Sequence, residues 1–208
     1  SMVEQFRSYP ELLKARRFWG YSLTAGFSAG AYYAYLGGAA YVGRELFALS
    51  PDTLGFYIGV PTLGYIIGNG LSGRFSRSFG VDKMAFIGAI ITAFSMTMCL
   101  FLFLFTNPIP ISFFGCVCIM GLGNGMVIPN ANAGMMSVRP HLAGSASGIG
   151  GTINTGGGAI IAAVTAAVLT LGSGALPLIF IMLGSCLMTI LTIFYVIKRT
   201  KKLEESKI

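Results

Sequence analysis

The side chains of this chain that could bind or react are mostly neutral hydroxyls and amides. Tyr21, Thr24, Ser28, Tyr32 and Tyr35 fall within about 80° of one another on a helical projection, so one helix would carry five hydroxyls on one face. On a later segment Asn124 and Asn132 share a face, while Asn130 points elsewhere. Pro129 cannot donate to the Gly125 carbonyl, which frees an acceptor and predicts a kink beside those amides. Exposed to lipid, such groups would be costly, so they must face protein or a water-filled cavity. Two readings stand side by side: a polar ligand cavity built from Thr24, Ser28, Tyr32, Tyr35, Asn124 and Asn132, or hydrogen bonds between helices.

Chemistry of other kinds lacks its residues. His141 is the only histidine, so neither a Ser-His pair nor a histidine metal cluster can be assembled. Gly144-Ser145-Ala146-Ser147-Gly148 has the outline of a nucleophile elbow with Ala146 at its centre, and there is no phosphate-binding loop. The four cysteines lie in apolar segments and read as small buried thiols. No catalytic residue, metal site or cofactor is expected. The acidic residues Glu4, Glu11, Glu45, Asp52, Asp82, Glu204 and Glu205 all fall outside the apolar runs, so a membrane proton relay has no obvious carrier here.

The elements that must position these groups are long and apolar. Charged residues make up 10% of the chain and hydrophobic ones 54%, against about 25% charged in ordinary globular domains. This pattern predicts an all-α integral membrane protein. Residues 1–17 form a basic lead-in, 18–197 a membrane domain, and 198–208 a basic tail. Six spans are expected at 18–42, 53–73, 84–105, 111–137, 143–170 and 176–197, each near the ~20 residues needed to cross a bilayer. Ser50-Pro51-Asp52 marks the start of the second. A basic loop is expected from Arg74 to Lys83. In the lead-in, Ser8 and Glu11 fit a capping box ahead of a short interfacial helix, with Phe18 and Trp19 at the interface; an unstructured linker is the alternative. Ser1-Met2 reads as one residue ahead of a start methionine, and no cleavable leader is expected.

Orientation follows from the cations. Thirteen of the 14 Lys and Arg residues fall on one side of the six spans and only Arg44 on the other, which predicts cytoplasmic N and C termini. The net charge of +7 is thereby a topological signal that needs no nucleic-acid partner.

Small residues set the packing. The stretch Gly115 to Ala159 holds two glycine-rich segments around the turn Val138-Arg139-Pro140-His141. Gly26, Gly30, Ala34 and Gly38 form a small stripe on the first span, and Gly64 and Gly68 a pair on the second. On the fifth span Ala143, Ser147, Gly151, Thr155, Ala159, Ala163 and Ala167 recur every four residues beside the Gly144–Gly148 pair. Slim faces let backbones meet, so Gly144, Gly148, Gly151 and Thr155 are expected in helix packing. Pro129, Gly156 and Gly157 are expected as points of bending. The third and sixth spans are bulky and are expected to face lipid. The order slim, slim, bulky occurs twice, which predicts a three-plus-three repeat of inverted transporter type.

The run Pro129-Asn130-Ala131-Asn132-Ala133-Gly134 followed by Arg139-Pro140-His141-Leu142-Ala143-Gly144-Ser145-Ala146-Ser147-Gly148 resembles the fourth-to-fifth helix turn in the C-terminal half of bicyclomycin-resistance-type drug:proton antiporters of the major facilitator superfamily. Tyr9 to Phe18 resembles the end of their central linker. Gly70 to Gly80 resembles a degenerate copy of the superfamily's glycine-and-basic loop motif, without its acidic residue. The resemblance implies one six-helix half of a twelve-span bacterial inner-membrane efflux transporter for small amphiphilic substrates, working by alternating access. It also implies that first and fourth helices line the cavity, second and fifth meet the other half, and third and sixth face lipid. The proton-coupling carboxylate would belong to the N-terminal half, and the family's glycine-proline antiporter motif has no counterpart in the fifth span. A lone half would leave slim faces exposed to membrane lipid, so a homodimer or a complementary N-terminal half is expected. A six-span scaffold that transports nothing is the alternative.

Overall fold

The computed structural model describes residues 9–169 and 174–205. Six long helices account for nearly all of them, and no strand occurs among the described residues. Helix α1 spans Arg16–Tyr41 and ends in a π-helical turn, Val42–Leu46. Helices α2 (Pro51–Phe79), α3 (Val81–Phe105) and α4 (Pro110–Ser137) follow. A 3-10 turn, Pro140–Leu142, leads into α5 (Ala143–Val168), and α6 runs from Leu176 to Glu205. Four of these, α3, α4, α5 and α6, are long and apolar enough to cross a membrane. Helices α1 and α2 match them in length but are diluted by Gly, Tyr and Ser.

The ends follow local rules. Ser50 caps α2 by accepting the Thr53 N–H, with Pro51 at the first helical position. Pro110 opens α4, where the Ser112 hydroxyl accepts the Ile109 N–H at 2.9 Å. The expected basic loop from Arg74 to Lys83 does not exist as a loop. Helix α2 continues through Arg74 and Arg77 to Phe79, and Gly80 alone joins it to α3. Nothing between Arg74 and Phe79 breaks a helix, and Gly80 reverses the chain at φ +83°, a conformation that L side chains avoid. Asp82 consequently lies in the first turn of α3. The kink expected at Pro129 does not interrupt α4, and the run Gly156 to Gly158 does not interrupt α5.

Helix α4 is the most enclosed. It packs on α2, α3 and α1, while α1 packs on α5, α6 and α4, and α3 meets α6. Exchanging α1 with α4, α2 with α5 and α3 with α6 maps this set of packed pairs onto itself. Glycine makes the closest approaches possible. A Cβ on Gly64 would run into the Cys118 carbonyl, and one on Gly68 into the Leu122 carbonyl. From the other side, one on Gly121 would meet the Pro61 carbonyl and one on Gly125 the Tyr65 carbonyl. Gly88 and Gly123 bring α3 and α4 together in the same way. On α1, Gly30 receives the Ile161 side chain and Gly37 faces the Ala162 backbone of α5.

Side-chain bulk does not sort the helices within this chain as expected. Helix α5, the slimmest, buries only Ala146, Gly150, Gly158 and Thr165, whereas the bulky α3 and α6 meet each other and bury about twice as many residues each. The reason is that α5 uses one narrow face against α1. Ser147, Gly151, Thr155, Ala159, Ala163 and Ala167 all lie exposed on its outer side. Gly144, Gly148, Gly151, Gly156 and Gly157 have nothing within reach of an added Cβ.

Of the two readings of the lead-in, the described part is structured. Residues 9–13 are helical, Leu12 is fully buried, and Glu11 pairs with Arg139 Nε at 2.8 Å and faces His141 Nε2 at 3.5 Å. The Trp19 indole donates to the Leu13 carbonyl at 2.7 Å. Ser8, the other half of the expected capping box, and Thr170, the end of the expected fifth span, lie outside the described residues.

Gly64→Ala is expected to destabilise the detergent-solubilised chain by about 1–3 kcal/mol, because the methyl meets a backbone carbonyl that cannot yield. Gly144→Ala is expected to be neutral or slightly stabilising, since it adds a helix-favouring methyl to open space. Thermal unfolding of the two variants side by side checks this; equal melting temperatures would remove glycine contact as the basis of the α2–α4 seam.

Candidate functional site

The hydroxyl face of α1 resolves into contacts with four different helices. The Tyr21 hydroxyl donates to Asp82 Oδ1 of α3 at 2.6 Å and accepts from Arg17 Nη2 at 3.3 Å. Thr24 Oγ1 donates to the Gly20 carbonyl and sits 3.0 Å from Thr192 Oγ1 of α6. Ser28 Oγ donates to Asn124 Oδ1 of α4 at 2.8 Å. The Tyr35 hydroxyl donates to the Ile58 carbonyl of α2 at 3.1 Å. Buried hydroxyls need such partners, and a single face at helical spacing supplies them in sequence.

Tyr32, the remaining member of that face, opens onto a cavity of about 410 Å³ between α1, α2, α4 and α5. Ala29, Tyr32, Tyr33 and Leu36 form the α1 wall, and Thr62 and Tyr65 the α2 wall. Gly121, Asn124 and Ile128 form the α4 wall, at spacings that keep them on one side of that helix, and Asn154 of α5 closes it. No lining residue among those described carries a charge. The wall is therefore aromatic and apolar, with hydroxyls and two amides to fix orientation.

Asn124 is the distinctive group. It is 2% exposed, its Oδ1 is satisfied by Ser28, and its Nδ2 is enclosed with no hydrogen-bond partner among the described residues. A buried amide N–H left without an acceptor costs about 1–3 kcal/mol.

The residues expected at a ligand site thus separate. Tyr32 and Asn124 line the cavity, and Ser28 stands directly behind Asn124. Thr24 is buried at the α1–α6 seam, where a second threonine faces it. Tyr35 is fully buried in the apolar cluster with Phe113 and Phe114, because its ring fills the space between α1 and the start of α4. Asn132 is half-buried and does not line the cavity. Asn130 bridges helices instead, donating at 2.7 Å to both Ser72 Oγ of α2 and the Met126 carbonyl. Tyr33, Thr62, Tyr65 and Asn154 belong to the lining without having stood out in the sequence. Asn154 had a signal, as the single amide on the fifth segment; Tyr33 had none, because its ring reaches the cavity by lying over Gly158.

All four cysteines are free, three of them buried, and no cluster of metal-ligating residues occurs among the described residues.

The family model described as Major Facilitator Superfamily matches residues 7–207. The chain is 29% identical over 153 residues to the MFS-type transporter YdgK of Bacillus subtilis, a match covering 74% of this chain and 38% of that protein. It is 25% identical over 196 residues to a bicyclomycin resistance protein homolog of Haemophilus influenzae, covering 94% of this chain and 48% of that protein. The chain thus spans less than half of the length of these curated relatives. No solved structure matches it significantly.

Gly158→Ala is expected to lift the Tyr33 ring from its seat and lower the melting temperature, and Tyr33→Ala in the same chain should recover much of the loss. A double-mutant cycle read by thermal unfolding should return a coupling of about 0.5–3 kcal/mol. Additive effects would separate Gly158 from the cavity wall.

Proposed function

The chain belongs to the Major Facilitator Superfamily, and on that premise we propose that it acts as one half of a secondary-active efflux transporter for small amphiphilic molecules. In this reading all six helices span a bacterial plasma membrane, with both termini in the cytoplasm. The asymmetric placing of Lys and Arg supports that orientation. The packing pattern that survives exchange of α1–α3 with α4–α6 supports two inverted three-helix repeats.

The observation that carries the reading is the cavity at Asn124: an uncharged, tyrosine-rich space of about 410 Å³, with one buried amide N–H waiting for an acceptor. Its chemistry suits a flat or apolar molecule bearing a carbonyl or hydroxyl. No carboxylate among the described residues lines the cavity, so proton coupling would depend on a second half. The exposed small-residue face of α5 supports pairing, with another copy or with a complementary N-terminal half, around which alternating access would operate. The lack of a cavity carboxylate also favours a second reading, a six-helix unit that binds ligand without moving it.

Asn124→Leu is expected to weaken binding of a fluorescent amphiphile about ten-fold, the loss of one buried hydrogen bond, and to lower the melting temperature because the buried Ser28 hydroxyl loses its acceptor. Unchanged affinity would remove the cavity as the ligand site. Cysteines introduced at Gly151 and Ala159 are expected to crosslink chains in native membranes; monomers alone would count against pairing through α5. Efflux from cells producing this chain separates transport from binding alone.

A further inference from the structure

A second site lies where α1 begins. Lys14, Arg16, Arg17, Arg139 and Arg199 converge on a cleft of about 300 Å³ between the start of α1, the α4–α5 turn and the end of α6. No acidic residue lines it among the described residues. Arg139 is paired with Glu11, but among the described residues Lys14, Arg16 and Arg199 have no acidic partner. Arg17 Nε is enclosed with no acceptor among the described residues, and α1 starts without a side-chain cap, so its first N–H groups add to the positive field. Cations held this close repel one another, and an enclosed guanidinium N–H without an acceptor is unfavourable; an anion in the cleft relieves both.

The cleft is not isolated. Arg16 also stands at the head of an apolar groove that runs along the seam between α1 and α6, walled by Trp19, Leu23, Leu191 and Tyr195. These four are among the exposed large hydrophobic residues of the chain. A strongly cationic pocket continuous with an apolar channel fits a ligand of two parts. A free phosphate would use only the first and a neutral detergent only the second.

We propose that this composite is a binding site for one anionic phospholipid, its phosphate held by Arg16, Arg199 and Lys14 and an acyl chain laid along the α1–α6 groove. The proposal rests on the chain being embedded in a membrane, but not on transport. It also gives the basic lead-in a defined ligand contact, because the anionic cytoplasmic leaflet lies on the side to which the cation bias assigns this end.

The test is native mass spectrometry of the detergent-solubilised chain titrated with phosphatidylglycerol or phosphatidylcholine, with inorganic phosphate as competitor. Phosphatidylglycerol should be retained in preference to phosphatidylcholine. Arg16→Gln with Arg199→Gln should weaken its binding about thirty-fold, the effect of removing two cations near an anionic headgroup. Leu191→Trp, which fills the groove, should also weaken it. Where the double variant melts well below the parent, Lys14→Gln serves as the charge variant, with a loss of about five-fold. Equal retention of both lipids, or unchanged preference in the charge variants, overturns the proposal. Displacement by millimolar phosphate, or indifference to Leu191→Trp, overturns the lipid as the source of the anion. Binding of the fluorescent amphiphile should be unaffected in all these variants, so failure here and failure of the central cavity are separately visible.

Discussion

The fold hangs on backbone meeting backbone along α4. Gly121 and Gly125 on one side, opposed by Gly64 and Gly68 of α2, and Gly123 on another, opposed by Gly88 of α3, bring three helices closer than any Cβ would allow. In a hydrocarbon solvent apolar side chains gain little from leaving lipid for protein, so dispersion contact at close range and hydrogen bonds must supply the association. Glycines that would weaken a soluble helix are here the contact surface itself. Polar side chains then fix the register: Asn130 to Ser72 across the α2–α4 seam, and Ser95 to the Cys116 carbonyl across α3–α4.

Helix α1 follows a different logic and reaches a similar result. Its hydroxyls tie it to α3, α6, α4 and α2 in turn from Tyr21 to Tyr35. Several of its glycines accept bulky side chains from α5 and α6, such as Ile161 at Gly30 and Val196 at Gly20, while Gly37 meets the Ala162 backbone. The cavity lies between α1, α2, α4 and α5, with tyrosine rings in its wall. Its chemistry follows from that lining: large amphipathic rings, one unsatisfied amide and no charge.

The interior and one end of the molecule divide the electrostatics. Uncharged chemistry sits in the helix interior, while the cations gather at the start of α1, the α4–α5 turn and the end of α6. Glu11 draws the segment before α1 onto that turn through Arg139 and His141, an exposed pairing worth at most about 1 kcal/mol, with the buried Leu12 contributing the larger share.

Much of this was legible in the residues. Long uncharged runs specify helices, Ser50-Pro51 specifies where α2 begins, and the hydroxyl spacing on α1 specifies that its polar groups share a face. The family resemblance carried by Pro129 to Gly148 agrees with the match over residues 7–207. What the spacing could not say is which neighbour each group meets. Tyr32 and Tyr35 are three residues apart on one face, yet one lines the cavity and the other is buried against Phe113 and Phe114. Asn130, on the other face from Asn124, proved to be the bridge between helices, and the small-residue stripe of α5 points out of the chain. Sequence fixes the face a side chain occupies, because that depends on helical periodicity within one segment. Which helix or cavity stands opposite depends on separations set by contacts far apart in the chain, and these exist only once α4 has closed on α2 and α3.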